Sequence, residues 1–225
     1  MKRNQQGFTL VEIAIVLVII GLLLGGILKG QEMITQAKIK NVVADFSGIS
    51  AAYYGYQDRY RAIPGDDLNA GTRWTAAPAA VPGDGNGQVG GTYNNACVQL
   101  PVAATPETCK WWDHLRRAGF VSGSGGLQPF NAVTGMLGVQ TGDGTGATAL
   151  GTAVGVGGFS GLIVCSANLP DKIAIAVDTQ MDDGTLISGT VRGQLQAAPN
   201  PAVLAVAAGA YAENGTNVYA LCRSL

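Results

Sequence analysis

From Phe8 to Leu28 the chain reads FTLVEIAIVLVIIGLLLGGIL, an apolar run of 21 residues broken by one charge, Glu12. As an α-helix rising 1.5 Å per residue, such a run is about 31 Å long, the thickness of a bilayer's hydrocarbon core. Ahead of it stands a short polar stretch, residues 1–7, with Lys2 and Arg3. Those two cations hold the N-terminus in the cytoplasm and send the rest of the chain outward, although Lys29, Lys38 and Lys40 beyond the span weaken that vote. A removable secretory signal needs a small-x-small site behind its apolar region. Leu23, Leu24 and Leu28 stand where such a site would need small side chains, so the segment is expected to stay attached.

Composition narrows the function. The chain has 225 residues, a net charge of -1 and only 13% charged residues. A near-neutral chain lacks the basic footprint of a nucleic-acid binder. At 47% hydrophobic it is no disordered tail. One histidine, no GxSxG string and no phosphate loop leave no catalytic constellation, so no enzyme activity and no catalytic residue is expected.

Glu12 is the anomaly of the span. An ionisable group inside an apolar helix costs on the order of 2.5 kcal/mol or more, which makes it a functional residue by default. Its neighbours specify the function. The string Gly7-Phe8-Thr9-Leu10-Val11-Glu12, behind a basic leader and ahead of an uninterrupted apolar span, resembles the processing signal of type IV prepilins and type II secretion pseudopilins. The resemblance implies that a prepilin peptidase cuts after Gly7 and methylates the new amine of Phe8. It implies that Glu12, the fifth residue of the mature chain, pairs with the Phe8 amine of a neighbouring subunit. Leaving one such charge buried without its partner would cost about 3–5 kcal/mol, which makes Glu12 a registry device for assembly. The implied partners are other pilins, the peptidase and an inner-membrane assembly platform. The implied location is the bacterial inner membrane for the precursor, then an extracellular pilus or a periplasmic pseudopilus. The clear resemblance covers roughly the first 60 residues. It departs from the family in one respect. Many pilins carry a proline just after the apolar run, whereas here Lys29 stands in that neighbourhood and no proline precedes Pro64. Local unwinding on assembly would fall to Gly21, Gly25, Gly26 and Gly30, each costing about 1 kcal/mol in a helix interior.

Beyond Leu28 the apolar positions Ile39, Val42, Phe46, Ile49, Tyr53, Tyr56 and Tyr60 recur at intervals of three and four, one face of an amphipathic helix. Pro64 and Gly65 end it. The tyrosines 53, 54, 56 and 60 read as core packing rather than as a stacking platform. The expected layout is a leader at 1–7, a transmembrane or filament-core helix at 8–28, its amphipathic continuation at 29–62 and a head at 63–225.

Within the head, residues 61–105 read as turns and loops. Residues 107–118 read as a short helix with Trp111, Leu115 and Ala118 on one face, Trp112 at its edge and Gly119 as its stop. His114, without a second ligand nearby, reads as a structural or surface residue. Residues 121–161 read as a variable surface region. Strands are expected at Leu162–Ala167, Lys172–Asp178, Thr185–Arg192 and Asn217–Cys222, the middle two joined as a hairpin through Thr179–Gly184. Residues 203–211 read as a strand or a short helix. The fold class is therefore α+β and pilin-like, a long N-terminal helix packed on an antiparallel sheet.

Four cysteines in an exported head favour disulfides. Three connectivities are possible, of which Cys97–Cys109 and Cys165–Cys222 are favoured, and the spacing does not suit zinc. No cofactor is required. The loop carboxylates read as ordinary polar turns; Asp178, Asp182 and Asp183, which crowd one turn, are the candidates if the head takes Ca²⁺. Asp84-Gly85-Asn86-Gly87-Gln88 fails the EF-hand pattern, and Asp66 and Asp67 suit a brace at the helix-to-head junction. The function expected is a structural subunit of a type IV pilus-like filament. The alternative is a secretion pseudopilin or minor tip pilin whose head binds a substrate or surface.

Overall fold

The computed structural model of the protein describes residues 9–142, 144, 158–196 and 210–225. In chain order the elements are α1 (Leu10–Tyr60), a single-turn α2 (Ala70–Arg73), α3 (Glu107–Arg117), β1 (Leu137–Thr141), β2 (Leu162–Pro170), α4 (Asp171–Met181), β3 (Val191–Leu195) and β4 (Val218–Ser224). The chain divides into two compact units, residues 1–38 and 39–225, and α1 contributes to both.

The described part of the first unit is helix only. Its large apolar side chains, from Leu10 at 86% to Ile34 at 58%, are exposed. Gly21, Gly25, Gly26 and Gly30 face open space. The helix contains a stretch long and apolar enough to cross a membrane. Among the described residues none of this segment is buried in a core, and so large an exposed apolar surface calls for lipid or other helices.

The second unit is built around the stripe anticipated on α1. Ile39, Val42, Phe46, Ile49, Tyr53 and Tyr56 are buried, one helical face at intervals of three and four. Each of these buried side chains contributes about 1.5–3 kcal/mol of burial free energy. The stripe shares a core with Trp111, Trp112 and Leu115 of α3, Ile173 and Val177 of α4, and Val139, Val164 and Leu221 of the sheet. The helix ends at Tyr60, because Arg61 turns left-handed with φ 53° while its amide still bonds the Gln57 carbonyl at 2.8 Å. Pro64 and Gly65 follow this stop rather than make it.

The sheet is four-stranded and antiparallel, in the order β1-β2-β4-β3. A register shift between Ser166 and Leu169 breaks the β2–β4 ladder. Cys165 lies opposite Cys222 across that ladder, and the two form a disulfide. A second disulfide joins Cys97 to Cys109. This is the α+β architecture expected, with different strands in it.

Two expected strands are corrected. Lys172–Asp178 is helical, inside α4, so Thr179–Gly184 is the end of a helix and not a hairpin. Asp171, Ile173, Ala174, Val177 and Asp178 are its buried positions, which is helical spacing. Thr185–Arg192 is mostly loop, and β3 begins only at Val191. The missing fourth strand is β1, within the stretch read as surface. Glycine stands at position 138 because the Tyr93 carbonyl packs where a Cβ would be. α2 lies in the stretch read as loops, and Trp112 is fully buried rather than at an edge. Most of the segment 203–211 lies outside the described residues.

Candidate functional site

Gly7 and Phe8 lie outside the described residues, and the site begins at Thr9. Thr9 precedes the first residue of α1, and Glu12 stands three residues on. The Glu12 carboxylate accepts the Thr9 amide at 2.8 Å and the Thr9 hydroxyl at 2.8 Å. The Glu12 amide in turn donates to Thr9 Oγ1 at 3.3 Å. This reciprocal pair is a capping box, which satisfies two of the donors a helix N-terminus leaves open. The sequence reading missed Thr9, although Thr-x-x-Glu ahead of an apolar run is the signature of such a box. Glu12 thus has a local role: it closes the start of the apolar helix, and one carboxylate oxygen carries both bonds. Its other oxygen has no hydrogen-bond partner among the described residues.

In the head, the expected brace is found at Asp67. Its Oδ2 accepts the Tyr56 hydroxyl at 2.6 Å and Arg73 Nη1 at 2.5 Å, and its Oδ1 accepts the Asn69 amide at 2.8 Å. Burial alone would push this carboxyl up, but the bonds from Tyr56, Arg73 and Asn69 hold it below its ordinary value. The Arg73 guanidinium lies 4.2 Å from the centre of the Tyr60 ring. The loop after α1 is thereby tied to the last turns of the helix. His114 is a second tie. Its Nδ1 accepts the Gly65 amide at 2.9 Å, which leaves Nε2 to donate to the Val81 carbonyl at 2.9 Å.

Two carboxylate clusters come together. Asp178, Asp182 and Asp183 each place an oxygen within 4.8 Å of the others. Asp178 is fully buried at the end of α4, with Oδ2 accepting the Tyr211 hydroxyl at 2.5 Å and Oδ1 without a hydrogen-bond partner among the described residues. Burial, then the charges of Asp183 and Asp182, push its carboxyl up to about 6. Asp182 accepts the amides of Thr190 and Val191, and Asp183 those of Thr185 and the Ser188 hydroxyl. The other cluster, Asp66, Asp84 and Glu107, was not foreseen as a unit. Asp66 receives the amides of Asn86 and Gly87, and Glu107 those of Asp84 and Gly90. These carboxylates fold the Gly-rich loop 83–90 onto the start of α3. Glu107 is 23 residues from Asp84, and spacing alone cannot join them.

The family model of the prokaryotic N-terminal methylation motif matches residues 2–28. The chain therefore carries the signature of type IV pilins and pseudopilins, a structural family, at the segment that encloses the capping box. The motif implies processing by a prepilin peptidase and assembly with other pilins, and with the apolar helix it fits a membrane-anchored precursor. No curated protein and no solved structure matches the chain.

Proposed function

We propose that the chain is a structural subunit of a type IV pilus-like filament, without enzymatic activity of its own. It is made as a membrane precursor, cut after Gly7, methylated on Phe8 and packed through its N-terminal helix. One observation carries this reading: the methylation motif at residues 2–28 coincides with a helix whose apolar side chains are exposed from Leu10 onward. A segment of that kind is at home first in lipid and then among copies of itself. Glu12 supports the same reading. Its capping bonds leave one oxygen for the Phe8 amine of a neighbour, a pairing that sets the register between subunits and repays desolvation only when both charges are present.

The test is intact-mass and N-terminal analysis of the chain from its native cells, for the wild type and for Glu12→Ala. The expected product begins at N-methyl-Phe8 in both, with fibres lost in Glu12→Ala. A chain still beginning at Met1 in cells with an active prepilin peptidase would sink the proposal. Long fibres built mainly of this chain mark a major pilin. Short fibres, or the chain confined to fibre tips, mark the pseudopilin or minor-pilin alternative.

A further inference from the structure

A cavity of about 370 Å³ opens on the head beside the C-terminal end of α3. Its volume falls in the range of small-molecule sites, roughly 300–1,000 Å³. Arg116 and Arg117 are among the residues that line it. Both are anchored through part of their fork. Arg116 donates from Nε to the Ser122 carbonyl at 3.2 Å and from Nη1 to the Gly125 carbonyl at 2.7 Å. Arg117 donates from Nε to Asp113 at 2.7 Å and from Nη2 to the Pro78 carbonyl at 2.8 Å. Each fork therefore keeps one terminal nitrogen without a partner among the described residues: Nη2 of Arg116 and Nη1 of Arg117.

The charges do not balance. Asp113 neutralises Arg117. Arg116 has no carboxylate partner among the described residues; the Ser122 and Gly125 carbonyls hold it, and its guanidinium lies 6.0 Å from the centre of the Trp112 ring. Burial pushes its guanidinium below the ordinary value, with the charge of Asp113 opposing. The site thus holds one uncompensated positive charge on a side chain that is already fixed in place. The frame around it is equally fixed. At Gly125 a Cβ would meet the Gln99 carbonyl at 1.9 Å, so the loop that receives Arg116 closes tightly on the segment bearing Gln99 and Leu100. The Cys97–Cys109 disulfide pins that segment to α3. Ala76, Pro78 and Leu100 supply an apolar wall.

We propose that this cavity is a binding site for a small organic monocarboxylate. Arg116 Nη2 and Arg117 Nη1, each without a partner among the described residues, are the donors a carboxylate would take here. A net charge of one fits a monoanion better than a phosphate, whose second charge would find no partner. The wall of Ala76, Pro78 and Leu100 takes an aliphatic body of a few carbons. The rigid frame keeps the ordering cost of binding low.

The full chain in non-ionic detergent, titrated with sodium butyrate at constant ionic strength, provides the test. The readout is the Nε–H NMR signals of Arg116 and Arg117. Saturable shifts of both signals are expected, with inorganic phosphate at least tenfold weaker and chloride without a saturable effect. Arg116→Gln should weaken butyrate at least tenfold. Because Arg116 also holds the loop, Ala76→Trp provides a second variant. It fills the cavity from an exposed position, leaves both arginines intact and should weaken binding by as much. Absence of saturation, phosphate binding as tight as butyrate, or binding that survives Ala76→Trp would each overturn the assignment.

Discussion

His114 is the only histidine in the chain and is fully buried. Its ring is stacked near Tyr56 at 6.5 Å between centroids and spans the loops of Gly65 and Val81. Burial lowers its pKa below 6.5, against the raising effects of the Val81 carbonyl and of Asp113 and Asp67. The fold therefore prefers the neutral ring, because a proton on Nδ1 would abolish the acceptor that Gly65 needs. The sign follows from linkage. A base depressed in the folded state contributes fully above its unfolded value, about 6.5, and that contribution is lost as pH falls from there through the native value. Urea melts from pH 7.5 to 5 should show this loss as the difference between the wild type and a His114 variant, because Asp178, pushed up to about 6, gains stability as pH falls over the same window and does so in both. His114→Gln should be less stable at pH 7.5 by about 2–4 kcal/mol, since two buried groups lose partners, and should lack that pH dependence. A slope identical in the wild type and the variant would show that His114 is not the group responsible. From sequence His114 could be read as non-catalytic, but not as a tie. Its two partners lie 49 and 33 residues away.

Among the elements, α4 and β1 show where pattern and fold part company. Ile173, Ile175 and Val177 alternate as a strand would, yet the helix is decided by its surroundings. Pro170 precedes the first turn, and Asp171 accepts the amides of Lys172, Asn214 and Gly215 from the helix start. Those last partners come from a distant loop, a constraint that a period count cannot see. The apolar run, its Glu12 and the α1 stripe were legible because each is contained in one helix. The carboxylate cluster at Asp66, Asp84 and Glu107 was not, because three segments build it. Of the two disulfides, Cys165–Cys222 closes 57 residues and Cys97–Cys109 closes 12. Loop entropy assigns them about 4 and 3 kcal/mol respectively. At about 2–4 °C per kcal/mol for a domain of this size, the Cys165→Ala/Cys222→Ala double variant should melt about 8–16 °C lower, and the Cys97→Ala/Cys109→Ala variant should lose less. Differential scanning calorimetry measures both, and a reversed order would refute this ranking.

At the scale of the whole molecule, the two units have opposite relations to water. The buried core begins at Ile39 and continues through Val42 and Phe46. Between Leu10 and Lys38, by contrast, not one residue is buried. Among the described residues, removal of 1–38 therefore takes away exposed apolar side chains and no buried one. The remaining stretch of α1, residues 39–60, keeps its whole buried stripe and so its reason to be helical, since most helix stability in proteins comes from packing of one face. A chain beginning at Ile39 should be monomeric without detergent and melt within about 3 °C of the full chain in micelles, a shift worth no more than about 1 kcal/mol. The full chain should partition into detergent or lipid. Sedimentation and thermal melts of the two forms decide the matter. Aggregation of the shortened chain, or loss of its helical signal, would mean that the first unit takes part in folding the head. Its independence would mean that the head folds on its own buried stripe, without help from the apolar segment.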